Sequence, residues 1–426
     1  MNSRRSLKRN AGSRLALMSV PLVTGCLLAP GAATAQEALR TAVEGDRSYQ
    51  IRRQRVSEPA GLMSWGPVQF DLGTFLRLTY DDNVLLSDAD KQDDFIIAPG
   101  VGLGGYWPIT DRSRLSVDLD LSYLIYTQGT RDDRVNLSAS SGSGLALDFE
   151  VGRTLTTIYD RFSLTDQLLD QGEVSETRNY GIFNNTAGLR SLWAPEPVYF
   201  EGGYAWDVAL STDGEFRDRD RQSHQFFLRA GQIIEERTRW GLEGTAGHTI
   251  YDVGVRNDFS AFSAGPYLEW QVTEAVSLSL RGGWSWTVFD QTGTEPVPDD
   301  LSVPYVGVDA RHQLTEDFSH SLSATREVRV GFTSQFTEVL RVRYSFGWQV
   351  AESVRVNGGV FYEFGEIPRT PTDEEYDRYG LDFGVPFRLT ERLGLSLAYR
   401  FTQRDSNVVG RDYTNNRVTA TLSYSF

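Results

Sequence analysis

The chain has 426 residues, a formal net charge of −15, 40% hydrophobic and 12% aromatic residues, 40 glycines and a mean hydropathy of −0.35. So acidic a chain lacks the basic footprint that nucleic-acid binding requires, and its one cysteine, Cys26, excludes an internal disulfide and a Cys-based metal site.

At the N-terminus Arg4, Arg5, Lys8, Arg9 and Arg14 precede an apolar run from Leu15 to Leu28 and the small residues Ala32-Ala33-Thr34-Ala35. This pattern predicts a signal peptide over residues 1–35, cut after Ala35. Val23-Thr24-Gly25-Cys26 offers a second reading, a lipoprotein box that would leave Cys26 as a lipidated terminus. Loss of the five basic residues takes the net charge from −15 to −20. No later apolar stretch reaches the roughly 18 residues of a spanning helix.

Residues 36–67 are polar and carry Arg47, Arg52, Arg53 and Arg55 without sustained alternation. They read as a periplasmic leader, either flexible or folded into the lumen or onto a periplasmic partner.

From 68 to 426 the chain repeats one pattern, alternating segments of ten to fifteen residues. Leu115, Val117, Leu119, Leu121, Tyr123 and Ile125 fall on one face, and Ser116, Asp118, Asp120 and Ser122 on the other. Period two means strands. The same alternation returns over Val198 to Leu210, Val276 to Val288 and Leu340 to Val350.

Short connectors (Pro108–Ser113, Val151–Thr154, Ala194–Pro197, Glu235–Thr238, Thr273–Ala275, Thr315–Asp317, Ala351–Ser353, Thr390–Arg392) alternate with longer ones near 81–93, 127–134, 166–178, 211–222, 252–258, 290–300, 331–335, 365–376 and 403–412. The layout predicts an all-β fold, a transmembrane antiparallel up-and-down β-barrel of about 18 strands with short periplasmic turns and longer extracellular loops. The last segment, Val418, Ala420, Leu422, Tyr424 and Phe426 on one face, resembles the C-terminal signal read by the outer-membrane assembly machinery. A soluble all-β fold would need two packed sheets or a propeller, and no blade-length repeat is present. The expected location is therefore the bacterial outer membrane, in contact with lipid and lipopolysaccharide.

The passage from Phe70-Asp71-Leu72-Gly73-Thr74-Phe75 to Thr79-Tyr80-Asp81-Asp82-Asn83-Val84, followed by Asp93-Asp94-Phe95-Ile96-Ile97-Ala98-Pro99-Gly100-Val101, resembles the opening of the putative β-barrel porin 2 family. The resemblance implies a large outer-membrane barrel associated with exopolysaccharide production and export, served by a separate periplasmic export partner. It brings no catalytic motif.

Aromatic residues near strand ends, Tyr80, Trp107, Tyr126, Trp193, Trp240, Trp270 and Tyr376, suit interfacial girdles, whereas inward rings such as Phe75 or Tyr126 would be needed to stack sugars. His224, His248, His312 and His320 lie on separate strands without i,i+4 spacing, so no metal site and no cofactor is expected. The acidic groups Asp81-Asp82, Asp88 with Asp90, Asp93-Asp94, Asp299-Asp300 and Asp373-Glu374-Glu375 read as solvated loops or as calcium and lipopolysaccharide contacts. No nucleophile, base and orienter gather anywhere, so an enzyme is not expected.

The alternation turns Asp118, Asp120, Asp148, Glu201 and Asp207 inward on early strands, and Arg341, Arg343, Arg355, Arg378, Arg388, Arg400 and Arg417 inward on late ones. Such walls would line a pore with a transverse field, or pair with neighbours such as Glu363, Asp382 and Glu327 and brace the barrel. The leading reading is a passive channel for exopolysaccharide export. Its rivals are a general diffusion porin for small hydrophilic solutes, marked by an inward-folded loop of about a dozen residues or more at mid-height, and a structural or adhesive surface barrel with a blocked lumen.

Overall fold

The computed structural model describes residues 63–426 apart from 139–143, 166–171, 177–179, 236, 297–299, 332–333 and 369–372. The signal peptide and most of the leader lie outside the described residues.

Eighteen strands form one ring. The first six are β1 (Val68–Asp81), β2 (Asp94–Thr110), β3 (Ser113–Tyr126), β4 (Arg134–Ser138 resumed at Gly144–Val151), β5 (Thr154–Thr165) and β6 (Ile182–Trp193). Next come β7 (Val198–Ser211), β8 (Arg221–Ile234), β9 (Thr238–Tyr251), β10 (Phe259–Gln271), β11 (Val276–Phe289) and β12 (Leu301–Gln313). The ring ends with β13 (Phe318–Val330), β14 (Phe336–Ala351), β15 (Val354–Ile367), β16 (Glu374–Arg388), β17 (Leu393–Ser406) and β18 (Tyr413–Ser425). Each pairs antiparallel with its neighbours, and β18 pairs with β1 to close the sheet. A hydrocarbon environment demands this closure, because an open edge would leave a row of backbone groups without partners. Ahead of the ring, Met63–Trp65 folds back on β1 through Gly66, whose φ of +59° suits glycine.

The apolar alternate positions face out. Leu228 is 60% exposed and Leu242 67%, while Gln225, Arg229 and Glu243 on the opposite face of the same strands are at most 4% exposed. Lipid is the partner of the outer face, so no apolar interior is required. Tyr80, Trp107, Trp193, Trp240 and Trp270 stand exposed on that surface near strand ends, as a head-group belt requires. Tyr126 and Tyr376 do not join them. Both point inward, at 7% and 2% exposure, because β3 and β16 place their even-numbered residues on the lumen side.

Inside, aromatic rings lie flat across glycines of the next strand. A Cβ at Gly365 would meet the Tyr376 ring at 2.1 Å, and one at Gly203 would meet Phe227 at 2.4 Å. Glycine there lets a large ring lie along the wall instead of standing into the lumen. Phe75 is used in the same way, lying against Gly100.

The Tyr-Asp-Asp-Asn stretch closes the ring. Asp81 accepts from Arg417 Nη2 at 2.5 Å and from Asn415 Nδ2 at 2.5 Å, Asp82 accepts from Asn416 Nδ2 at 2.7 Å, and Asn83 Nδ2 donates to the Thr414 carbonyl at 3.0 Å. Asp94 caps the next loop, accepting from Thr130 Oγ1 at 2.6 Å and Gln128 N at 3.0 Å. Asp81 and Asp82, which read as loop groups in the sequence, are parts of the seam, and Asp94 holds the loop after β3.

The inside-out polarity has a direct test. Leu228→Arg puts a charge on the lipid face near the middle of β8 and is predicted to cost about 2–4 kcal/mol in a bilayer. Urea unfolding of the folded barrel in vesicles measures it, and an unchanged midpoint would contradict the assigned face.

Candidate functional site

The lumen wall is built from cross-strand rows, since residues facing each other across the ladder share a height and a face. All twelve of the charged residues singled out above stand at inward-facing positions of their strands.

On the early wall Arg190 Nε donates to Glu201 Oε1 at 2.6 Å. Arg229 lies between Glu201 (3.7 Å), Glu243 (3.4 Å) and Glu269 (3.0 Å), with its guanidinium 4.1 Å over the Tyr267 ring. Asp148 accepts from Thr157 Oγ1 at 2.6 Å, and Asp207 from Thr186 Oγ1 at 2.5 Å. Asp118 and Asp120 face Gly104 and Gly102 of β2.

The late wall centres on Glu363, which is fully buried. Arg378, Arg341 and Arg329 approach one of its oxygens at 3.3, 3.6 and 3.9 Å, and the Tyr376 hydroxyl donates to the other at 3.3 Å. Arg341 and Arg378 also stack on the Phe361 ring, 5.0 and 5.1 Å from its centroid. Glu327 pairs with Arg329 at 2.6 Å. Arg343 is ion-paired with Asp382, Arg400 faces both Asp382 and Arg417 in register, and Arg388 sits opposite Gly394. Arg355 is exposed toward the short-turn end of the lumen. Both walls therefore carry their own counterions, row by row.

A third cluster was not visible in the sequence. Glu374, read there as part of an acidic loop, points inward and is fully buried. It accepts from Arg404 Nη2 at 2.6 Å and Ser406 Oγ at 2.9 Å, and it is ion-paired with Arg411. The same two arginines hold a segment that comes from the far side of the ring. Arg404 Nε donates to the Gly172 carbonyl at 2.7 Å, and Arg411 Nε to Ser175 Oγ at 3.2 Å. Thr337 Oγ1 donates to Glu173 Oε2 at 3.0 Å, and Glu176 N to the Leu86 carbonyl at 3.1 Å.

The described Gly172–Glu176 stretch between β5 and β6 thus lies inside the ring, docked on β14, β16, β17 and the first loop. Gly172 is needed at the contact, where a Cβ would lie 2.0 Å from Glu363 Oε1. Val174 and Tyr180 are buried in the same connection, Tyr180 edge-on to Phe216 at 5.1 Å, and burial pushes the Tyr180 hydroxyl up to about 12. The docking level is the long-loop end and not the mid-height expected from the sequence, since Thr337, Glu374 and Arg404 stand near the extracellular termini of their strands.

The family described as putative beta-barrel porin 2 matches residues 74–426. The chain belongs to this family. It is an outer-membrane β-barrel of the porin type, and the assignment points to a channel rather than to an enzyme. No curated protein matches the sequence. Among solved structures the chain is similar to OccK2 (OpdF) of Pseudomonas aeruginosa in complex with glucuronate, at 9% identity over 85% of this chain and 99% of that one, with a TM-score of 0.49. It is also similar to a BenF-like porin from Pseudomonas fluorescens Pf-5, at 9% identity, 84% and 99% coverage and a TM-score of 0.48. A third likeness is OccAB4 of Acinetobacter baumannii, at 12% identity, 84% and 98% coverage and a TM-score of 0.46.

Glu363 balances several arginines from one buried position, so its charge matters more than its shape. Glu363→Gln is predicted to destabilise the barrel by about 3–5 kcal/mol, because the buried cations lose their partner. A shift of the urea midpoint checks this, and a variant as stable as the wild type would contradict it.

Proposed function

We propose that this protein is a diffusion porin for small hydrophilic solutes. The observation that carries the reading is the inward segment Gly172–Glu176, tied to the opposite wall by Arg404, Arg411 and Thr337. A chain segment seated inside a lumen of this strand number sets an upper size for what passes. That arrangement favours small-solute diffusion over the conduit for secreted polysaccharide that led the sequence reading, since a polymer exporter profits from an unobstructed bore. Direction follows the concentration gradient.

Nine of the twelve inward charges are proposed as the lining of the aqueous path, while Asp148, Glu201 and Arg378 are buried in the wall and brace it. Locally paired charges leave water-facing dipoles and partial charges along the wall, which favours polar solutes and penalises apolar ones. Arg355, exposed at the short-turn end, and Arg341 and Arg343 above it supply the positive side of the late wall.

Planar-bilayer recordings test both statements. The wild type is predicted to give discrete open steps, and changing Arg341, Arg343 and Arg355 together to Ser should move the reversal potential in a salt gradient toward cation selectivity. Absence of steps in the wild type would overturn the channel reading, and steps with an unmoved reversal potential would remove these arginines from the path.

A further inference from the structure

The chain contains four histidines, and the ladder pairs them with one another. His224 stands directly opposite His248 on β8 and β9, and His312 directly opposite His320 on β12 and β13. Helical spacing, the pattern sought in the sequence, is the wrong criterion here. On a sheet the nearest side chain of matching face belongs to the neighbouring strand.

The two pairs differ. His224 Nδ1 is engaged by the Tyr204 hydroxyl at 2.7 Å and His248 Nδ1 by Ser260 Oγ at 3.0 Å, so each ring turns to a hydroxyl. In the second pair the rings turn to each other, with His312 Nδ1 3.1 Å from His320 Nε2 and ring centroids 5.1 Å apart. Two nitrogens that each lie ~2.0–2.1 Å from one metal ion, in cis or tetrahedral positions, are about 2.8–3.4 Å apart. The observed spacing falls inside that window.

We infer that His312 and His320 form a binding site for a borderline divalent transition-metal ion, Cu²⁺ or Zn²⁺, at the periplasmic edge of the outer barrel surface. The position fits. Both residues share the outward face with Val306 and Leu322, which are 50% and 47% exposed, and both flank the short turn at 314–317. Glu316 and Asp317 are exposed in that turn and raise the local cation concentration. Phe318 and Tyr344 pack near the His320 ring at 5.9 and 5.8 Å, limiting its rotation.

Binding requires only that both facing nitrogens present lone pairs. The ring protons then sit on His312 Nε2 and His320 Nδ1. No group of three or more His, Cys, Asp or Glu side chains is placed to hold a metal among the described residues, so water fills the other positions. Imidazole ligands suit copper and zinc, and Cu²⁺ binds more tightly of the two.

The test uses the purified barrel in detergent micelles, titrated calorimetrically with Cu²⁺ or Zn²⁺, with electron paramagnetic resonance of the copper form. The expected result is about one equivalent bound, with hyperfine structure from two nitrogen donors. His312→Asn or His320→Asn should weaken binding at least tenfold, while the double variant His224→Asn with His248→Asn binds as the wild type does. Heat-modifiable gel mobility confirms that each variant is folded. Failure of the wild type to bind, a copper spectrum with fewer than two nitrogens, or undiminished binding by folded His312→Asn would overturn the inference and leave the contact as a ring-to-ring hydrogen bond. If a His312 or His320 variant does not fold, the copper spectrum of the His224→Asn, His248→Asn double variant decides, since only the second pair is left to supply two nitrogens.

Discussion

The structure depends on β1 meeting β18. In hydrocarbon a sheet with a free edge cannot persist, so each interior feature presupposes this seam. The seam is more than a ladder. Asp81 binds Arg417 and Asn415, Asp82 binds Asn416, and Asn83 reaches the Thr414 carbonyl, so one run of three polar residues clasps the last strand at its extracellular end. The passage that carries the family resemblance is therefore the closing device of the barrel.

With the ring closed, polarity is inverted relative to a soluble protein, and the lumen gathers the ionisable groups. Arg229 among three glutamates and Glu363 among three arginines are mirror arrangements on opposite walls. Each row is compensated within a few strands, which keeps the wall rigid while leaving polar groups on the water side. The inward segment uses the same chemistry at a higher level, where Arg404 and Arg411 bind Glu374 with part of each guanidinium and the crossing chain with the rest.

Much of this was legible in the alternation. Period two assigns each residue a face, and on that basis the strands, the turns and the inward position of each chosen charge follow without coordinates. What fails is the girdle reading of Tyr126 and Tyr376, where position at a strand end suggests the belt while parity correctly places the ring inside. The alternation misses the register jump in β4, where Ser138 faces Asp120 and Gly144 faces Asp118. Partners are the deeper loss. Parity says nothing about register, so the meeting of Glu374 with Arg404, or of His312 with His320, becomes visible only once the strands are aligned.

On the proposed function, the docked segment, and not the ring, limits what passes. Liposome swelling with solutes of graded size measures this directly, comparing the wild type with a variant carrying Arg404→Ser and Arg411→Ser. The predicted result is a wild type that admits monosaccharides and excludes longer oligosaccharides, and a variant that admits the longer ones. Identical size limits in the two proteins, or free passage of long oligosaccharides through the wild type, would contradict it.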